Sequence, residues 1–436
     1  MRKIANLLLL LVAALLVVFA VIGVQFVTRG TPLSHVRRLG GRGDAPPAAA
    51  EFRRTAALLS GVAIAPGNRV EVLSNGDETY PRLYRELAAA RRLVFVQMYY
   101  ANPGRVADTM RTLLIDAARR GVRTYFLVDA FGSQNLGGGY LDTLRAGGVR
   151  VAALRPLRWY TLDKVTRRSH VRVLTIDGRV GYTGGFGIDD KWLGDGRHKN
   201  QWRDTNVRFI GPAVEQLEAA FAASWAEATG ELLTGEALFA DADAGASGAG
   251  ADSAVFAGLL FAEPTIGSTP AERFLALSIA GARRTLYVAN SYFVPDDDFR
   301  RLLTEAARRG VDVRILTTSD ETDIKTTWYA GRARYEELLA AGVRIYEYQP
   351  TMMHAKTLVT DGVWSTVGTM NFDNRSRAYN DESNLVDHDA AVGAVMDSVF
   401  LADLRYATEV RLAEFRHRRW TERVLEIAST LVSRLL

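Results

Sequence analysis

The feature that most constrains what this chain can fold into is that one pattern of residues occurs in it twice. Residues 169–178 read SHVRVLTIDG and residues 353–362 read MHAKTLVTDG, so His170, Arg172 and Asp177 stand at the spacing of His354, Lys356 and Asp361. The flanks repeat as well: LLIDAARRGVRTYFLVD (113–129) answers LLTEAARRGVDVRILTT (302–318), AGGVRV (146–151) answers AAGVRI (340–345), and GYTGGF (181–186) answers STVGTMNF (365–372). The histidines lie 184 residues apart and the Arg-Gly-Val turns 189, so whole domains were duplicated. Two copies make a two-lobed unit of enzyme size rather than a solenoid array.

Each copy follows one course. A helical stretch (YPRLYRELAAARR; PAERFLALSIAGARR) leads to a β-branched and aromatic run (LVFVQMYY; TLYVANSYF). An amphipathic helix ending in Arg-Arg-Gly-Val follows, then a strand, a short helix and the histidine-bearing strand. This alternation predicts an α/β fold: two similar lobes with mixed sheets flanked by helices, whose equivalent strands meet across a pseudo-twofold axis. Side chains two apart on a strand share a face, so His170 projects with Arg172 and His354 with Lys356. A lone His-x-Lys is an ordinary solvent-facing edge strand; its recurrence at matched positions points to a site.

At 436 residues and 48% apolar content the chain is long enough for two proper cores. It has no cysteine, which excludes disulfides, thiolate metal sites and cysteine nucleophiles. A net charge of +5 and a pI near 9.3 suit a polyanionic partner, either nucleic acid or an acidic phospholipid surface.

Leu7 to Val24 is an unbroken apolar run of 18 residues behind Arg2 and Lys3, close to the length that spans a bilayer. A cleaved signal peptide would have a shorter apolar region and a small-x-small site. A single-pass anchor in the cell membrane is therefore expected over residues 1–30. Arg29, Arg37, Arg38 and Arg42 after the span lean the catalytic part toward the cytoplasm. GGRGDAPPAAA (40–50) reads as flexible, giving a tether over 31–68, and ADADAGASGAGADSA (240–254) reads as a linker between lobes at 69–239 and 255–400. Residues 401–436 form a C-terminal amphipathic helical segment. There Trp420, Val424, Ile427, Leu431 and Leu435 recur at helical spacing behind RHRR (416–419), the pattern of an interfacial helix on an anionic membrane or of a helix docked on the core.

The paired His-x-Lys/Arg-x4-Asp strands, each followed by a glycine turn, resemble the phospholipase D superfamily. The flanks are most similar to its bacterial cardiolipin synthase branch: DGRVGYTGGFGIDDKWLG (177–194), WRDTNVRFIGPAVEQLEAAFAASW (202–225), HAKTLVTDGVWSTVGTMNFDNRS (354–376) and YNDESNL (379–385). The resemblance runs from about residue 69 to the C-terminus. It implies an enzyme in which one histidine attacks phosphorus and the other protonates the leaving hydroxyl, with Arg172 and Lys356 holding the phosphoryl oxygens. Gly184 with Gly185 and Gly368 with Thr369 would let backbone N–H groups approach the substrate, beside Asn371. The resemblance also implies an acidic partner for the imidazoles, and aligning WRDTNVRF with NDESNLVD pairs Asp204 with Glu382. Asp177 and Asp361 belong to the catalytic motif, although their loop positions read as Asp-Gly turn closure.

Two departures fall in the first half, where Arg172 replaces the usual lysine and Gly187 stands where the second copy keeps Asn371. The expectation is a membrane-anchored phosphatidyltransferase that makes cardiolipin from phosphatidylglycerol through a phosphatidyl-histidine, with no metal and no cofactor. The expected partners are an anionic phospholipid and the membrane, with no nucleic acid. Hydrolysis by water and a lipid-binding scaffold with a degenerate first site are the alternatives.

Overall fold

Both copies of Arg-Arg-Gly-Val close a helix on its strand. Gly121 and Gly310 take left-handed φ of 89° and 90°, which a side chain resists, and the valines that follow are buried. The helices they end, Arg105–Arg119 and Asp297–Arg308, bury one stripe each: Val106, Met110, Leu114 and Ala117 in the first, Phe299, Leu302, Leu303 and Ala306 in the second. The computed structural model describes residues 2–27, 45–156, 167–235, 238, 255–265 and 268–432.

In the first half the strands are β1 (Ala65–Ser74), β2 (Leu93–Met98), β3 (Arg123–Asp129), β4 (Arg150–Leu154), β5 (Val173–Ile176), β6 (Val180–Gly184) and β7 (Thr205–Ile210). The second half repeats them as β8 (Val255–Ala262), β9 (Thr285–Asn290), β10 (Asp312–Thr318), β11 (Arg344–Tyr348), β12 (Lys356–Thr360), β13 (Trp364–Gly368) and β14 (Glu382–His388), and β15 (Ala407–Val410) follows. Among the described residues these make one sheet in the order β15-β11-β10-β9-β12-β13-β14-β8-β1-β7-β6-β5-β2-β3-β4. From the central β8–β1 pair outward the two halves read alike for seven strands, β15 being an addition to the second, so equivalent strands meet antiparallel, as a pseudo-twofold axis requires. The crossovers β2-β3-β4 and β9-β10-β11 are parallel and the rest antiparallel, giving the mixed sheet expected. One apolar cluster runs through the seam, with Phe95, Phe221, Val359, Leu385 and Met396 in common. The halves therefore share a core.

The helix Arg2–Val27 contains Asn6–Gly23, long and apolar enough to cross a membrane by length and composition. Two boundary expectations need correction. Residues 45–68 are not a tether: helix Ala50–Ser60 buries Phe52 against Trp364 with ring centroids 5.3 Å apart, and β1 begins at Ala65. Residues 31–44, like the linker at 240–254, lie outside the described residues. Nor is 401–436 wholly helical, because β15 pairs with β11 and extends the sheet. Helix Trp420–Val432 packs on helix Lys325–Arg332, with Glu426 buried and bonded to Arg418 at 2.8 Å. The same helix leaves Trp420, Val424 and Ile427 exposed, so docking and an outward apolar stripe coexist; Leu435 lies outside the described residues.

Candidate active site

His170 and His354 stand just ahead of β5 and β12, where each strand has left the sheet and its backbone is free to pair with the other half. Ser169 bridges to Asp381 and Met353 to Arg203. His170 N–H donates to the Asp381 carbonyl at 2.9 Å and His354 N–H to the Arg203 carbonyl at 2.6 Å. The residues after Asp381 and Arg203 are the two aligned acids. The result is a pair of crossed dyads: His170 Nδ1 lies 2.9 Å from Glu382 Oε2, and His354 Nδ1 lies 2.7 Å from Asp204 Oδ2. Each histidine is held by the carboxylate of the opposite half. Spacing along the chain does not reveal this, since Asp204 follows His170 and Glu382 follows His354.

Both acids are oriented from behind. Thr369 Oγ1 donates to Glu382 Oε2 at 2.5 Å, and Trp192 Nε1 donates to Asp204 Oδ2 at 2.8 Å. Gly185 permits this closeness, because a Cβ there would sit 2.3 Å from Asp204 Oδ1. A Cβ on Gly184 or Gly368 would likewise strike Asn206 or Ser383 with Asn384. None of Gly184, Gly185, Gly368 and Thr369 lines the cavity; the glycines let the strand carrying each acid come close. Asp177 and Asp361 are likewise absent from its wall. Their carboxylates accept backbone N–H groups of Arg91, Arg92 and Leu93 and of Arg283, Arg284 and Thr285, which closes the Asp-Gly turn at the far end of each strand.

The cavity has a volume of about 420 Å³, and both histidines, Arg172 and Asn371 line it. Arg172 is buried with Nη1 3.4 Å from His170 Nε2, and its Nε has no hydrogen-bond partner. Lys356 lies beneath, its Nζ donating to Ser291 Oγ at 2.8 Å and to the His354 carbonyl at 2.5 Å. The absence of asparagine at 187 is compensated. A Cβ at Gly187 would sit 2.8 Å from the Trp192 ring, so the glycine makes room for the tryptophan that orients Asp204. The walls differ. Trp192 and Trp202 flank His354 at 5.3 and 4.9 Å between centroids, while Tyr99 meets His170 edge-on at 4.9 Å.

Burial sets the charges. It lowers both imidazoles well below their usual range, reinforced by Arg172 and Lys356, so both are neutral at physiological pH. It raises the Asp204 carboxyl and pushes Glu382 up to about 8. It pushes the Lys356 ammonium down to about 7. A neutral imidazole whose Nδ1–H is held by an ionised carboxylate keeps its Nε2 lone pair for an electrophile, and one whose carboxyl partner retains its proton carries a proton on Nε2 to deliver; a pair of dyads on one cavity with a guanidinium suits displacement at a phosphodiester.

Sequence reasoning did not single out Trp192, Trp202, Tyr99 or Arg375, all on the cavity wall. For Arg375 a signal existed: it stands six residues past Thr369 as Lys191 stands six past Gly185, a basic residue at one place in both copies.

Residues 83–225 and 275–404 match the protein family described as cardiolipin synthase, PLD-like domain. The chain is 34% identical over 372 residues to a cardiolipin synthase of Geobacillus kaustophilus (strain HTA426), spanning 85% of this chain and 72% of that protein. It is 30% identical to cardiolipin synthase A of Pseudomonas syringae pv. syringae (strain B728a), spanning 85% and 75%. Among solved structures, a phosphatidylserine synthase of Haemophilus influenzae Rd KW20 superposes with a TM-score of 0.65 over 89% of this chain and 100% of that one; at 13% identity this is a likeness of fold.

Proposed function

Because the chain belongs to the cardiolipin synthase family of phospholipase D-like proteins, we propose that it is a membrane-anchored phosphatidyltransferase joining two molecules of phosphatidylglycerol into cardiolipin. One imidazole Nε2 attacks phosphorus. A P–N bond forms, the P–O bond to the glycerol headgroup breaks, and the dyad of the second histidine, which holds one proton more than that of the attacking one, delivers it from Nε2 to the departing alkoxide. A hydroxyl of a second phosphatidylglycerol then yields its proton to that histidine as its oxygen displaces the imidazole, which restores the enzyme. Arg172 and Lys356 stabilise the charge that gathers on the non-bridging oxygens. Burial leaves whichever imidazole attacks unprotonated, and its carboxylate stabilises the positive charge formed on attack.

The observation that carries this reading is the pair of crossed dyads on one cavity. The apolar helix Arg2–Val27 supports holding that cavity at a lipid surface, and the arginines after it support a cytoplasmic catalytic part. The competing acceptor is water, at a concentration of roughly 55 M, so transfer requires a dry site and a crowded acceptor. Vesicles of headgroup-labelled phosphatidylglycerol incubated with the full-length enzyme are expected to give labelled glycerol and cardiolipin in equal amounts, with little phosphatidic acid. Phosphatidic acid as the main product on vesicles would replace the transferase by a phospholipase D.

A further inference from the structure

One cation on the cavity wall has no part in the mechanism above. Arg375 lines the same cavity as both histidines, and among the described residues its guanidinium makes no hydrogen bond or ion pair. Its backbone is firmly placed. Asp373 caps the short helix Asn374–Ala378 by accepting the Ser376 N–H at 2.7 Å, and the Arg375 carbonyl accepts N–H groups of Tyr379 and Asn380 at 2.9 and 3.0 Å. The arginine two residues on is engaged, since Arg377 bonds Asp296 at 2.8 Å and lies over Phe299. The counterpart in the first half is engaged too. Lys191 Nζ donates to Tyr100 Oη at 2.7 Å and lies 4.0 Å from the ring centroids of Tyr100 and Trp202. The duplication puts a basic residue at one place in both copies: Lys191 is tied to Tyr100 and Trp202, whereas Arg375 lines the cavity near the buried Asp373 without a hydrogen bond of its guanidinium among the described residues.

Two unpaired acceptors share the cavity wall with Arg375. Asn371 Oδ1 and Asn380 Oδ1 are buried without hydrogen-bond partners, and both residues line the cavity. Asn380 is oriented by its own Nδ2, which reaches Glu382 Oε1 at 3.4 Å. Unpaired buried acceptors are costly in a folded protein, so a cluster of them around a cavity marks where a ligand supplies the donors.

We propose that Arg375, Asn371 and Asn380 form the acceptor subsite, where the guanidinium holds the phosphodiester of the incoming lipid and the amide oxygens accept its glycerol hydroxyls. The assignment rests on the phosphatidyl transfer proposed above and specifies its second substrate. Arg172 and Lys356 already answer the donor phosphate. A second anion in the same buried space needs a cation of its own, and the planar guanidinium fork matches a phosphodiester. The subsite would make the enzyme prefer an anionic phospholipid alcohol to a neutral alcohol or water. That preference is what separates a cardiolipin-forming enzyme from one that exchanges headgroups.

The test is a partition experiment with full-length enzyme on phosphatidylglycerol vesicles in buffer containing isotope-labelled glycerol. The phosphatidyl-enzyme then has three acceptors: phosphatidylglycerol gives cardiolipin, glycerol gives labelled phosphatidylglycerol, and water gives phosphatidic acid. Their ratio is fixed after the intermediate forms, so it is independent of how fast a variant makes that intermediate. Arg375→Gln is expected to lower the ratio of cardiolipin to labelled phosphatidylglycerol by about 10- to 100-fold, the worth of a charged hydrogen bond, and Arg375→Lys to recover part of it. Asn380→Ala, which leaves the guanidinium in place, is expected to lower the ratio by a smaller factor. Ratios within twofold of wild type in both Arg375→Gln and Asn380→Ala would overturn the proposal. Wild-type enzyme giving mostly phosphatidic acid would instead count against the transferase reading itself.

Discussion

Glu382 and Asp204 hold the imidazoles through Nδ1, and an amide in either place offers Nδ1 an N–H or fixes the ring in the wrong tautomer. Glu382→Gln and Asp204→Asn are each expected to lower kcat by about 10²- to 10⁴-fold while the melting temperature stays close to wild type. Near-wild-type turnover in either variant would remove that dyad from the mechanism. Lys356 sets the pH response. Burial pushes its ammonium down to about 7, so the charge is present below that pH and lost above it, and kcat/KM is expected to fall as pH rises through about 7. A bound phosphodiester favours the protonated ammonium, which moves the same limb in kcat to higher pH. Lys356→Arg keeps its charge and is expected to abolish the limb; an unchanged limb in that variant would assign it to another group. Residues were legible where both copies preserve them, hence His170, His354, Arg172, Lys356 and the acids. Arg375 was missed because it stands outside the paired histidine motif, and its place on the cavity wall depends on the folding of distant segments.

Gly187 shows how one element compensates another. The second half carries Asn371 and Ser376 five residues apart where the first carries Gly187 and Trp192, and the glycine accommodates the tryptophan that donates to Asp204. Gly187→Asn is expected to displace Trp192, at an overpacking cost of about 1–3 kcal/mol, and to reduce kcat with it. Adding Trp192→Ser should recover melting temperature and part of the activity, since the pair then matches the second half. A double variant less active than Gly187→Asn would show that Trp192 has a role beyond that space. Strand and helix order was readable from periodicity and from the duplicated Arg-Arg-Gly-Val turns. The docked helix Ala50–Ser60 was not, because Pro46, Pro47 and the alanines that follow read as flexible chain, while the apolar contact that fixes the helix comes from Trp364, more than 300 residues away. The glycines were seen, but a strand sequence does not show that an acid from the neighbouring strand lies behind them.

At the scale of the whole molecule, duplication predicted two lobes, and the structure joins them into one sheet with a shared core. The β8–β1 seam and the bridges Ser169–Asp381 and Met353–Arg203 bring each histidine to the other half's acid, so the site exists only in the pair. Long-range pairing of this kind has no local signature. The chemistry assigned to that site requires a covalent phosphatidyl-histidine, and trapping it tests the assignment directly. Full-length enzyme mixed with phosphatidylglycerol, quenched in alkali within the first turnover and digested, is expected to carry a phosphatidyl group on the peptide containing His170 or the one containing His354. Replacing the unmodified histidine by alanine is expected to slow formation of the adduct, which depends on leaving-group protonation, and to block its resolution by the acceptor. Cardiolipin formed at the normal rate with neither histidine modified at any time would contradict the two-histidine mechanism.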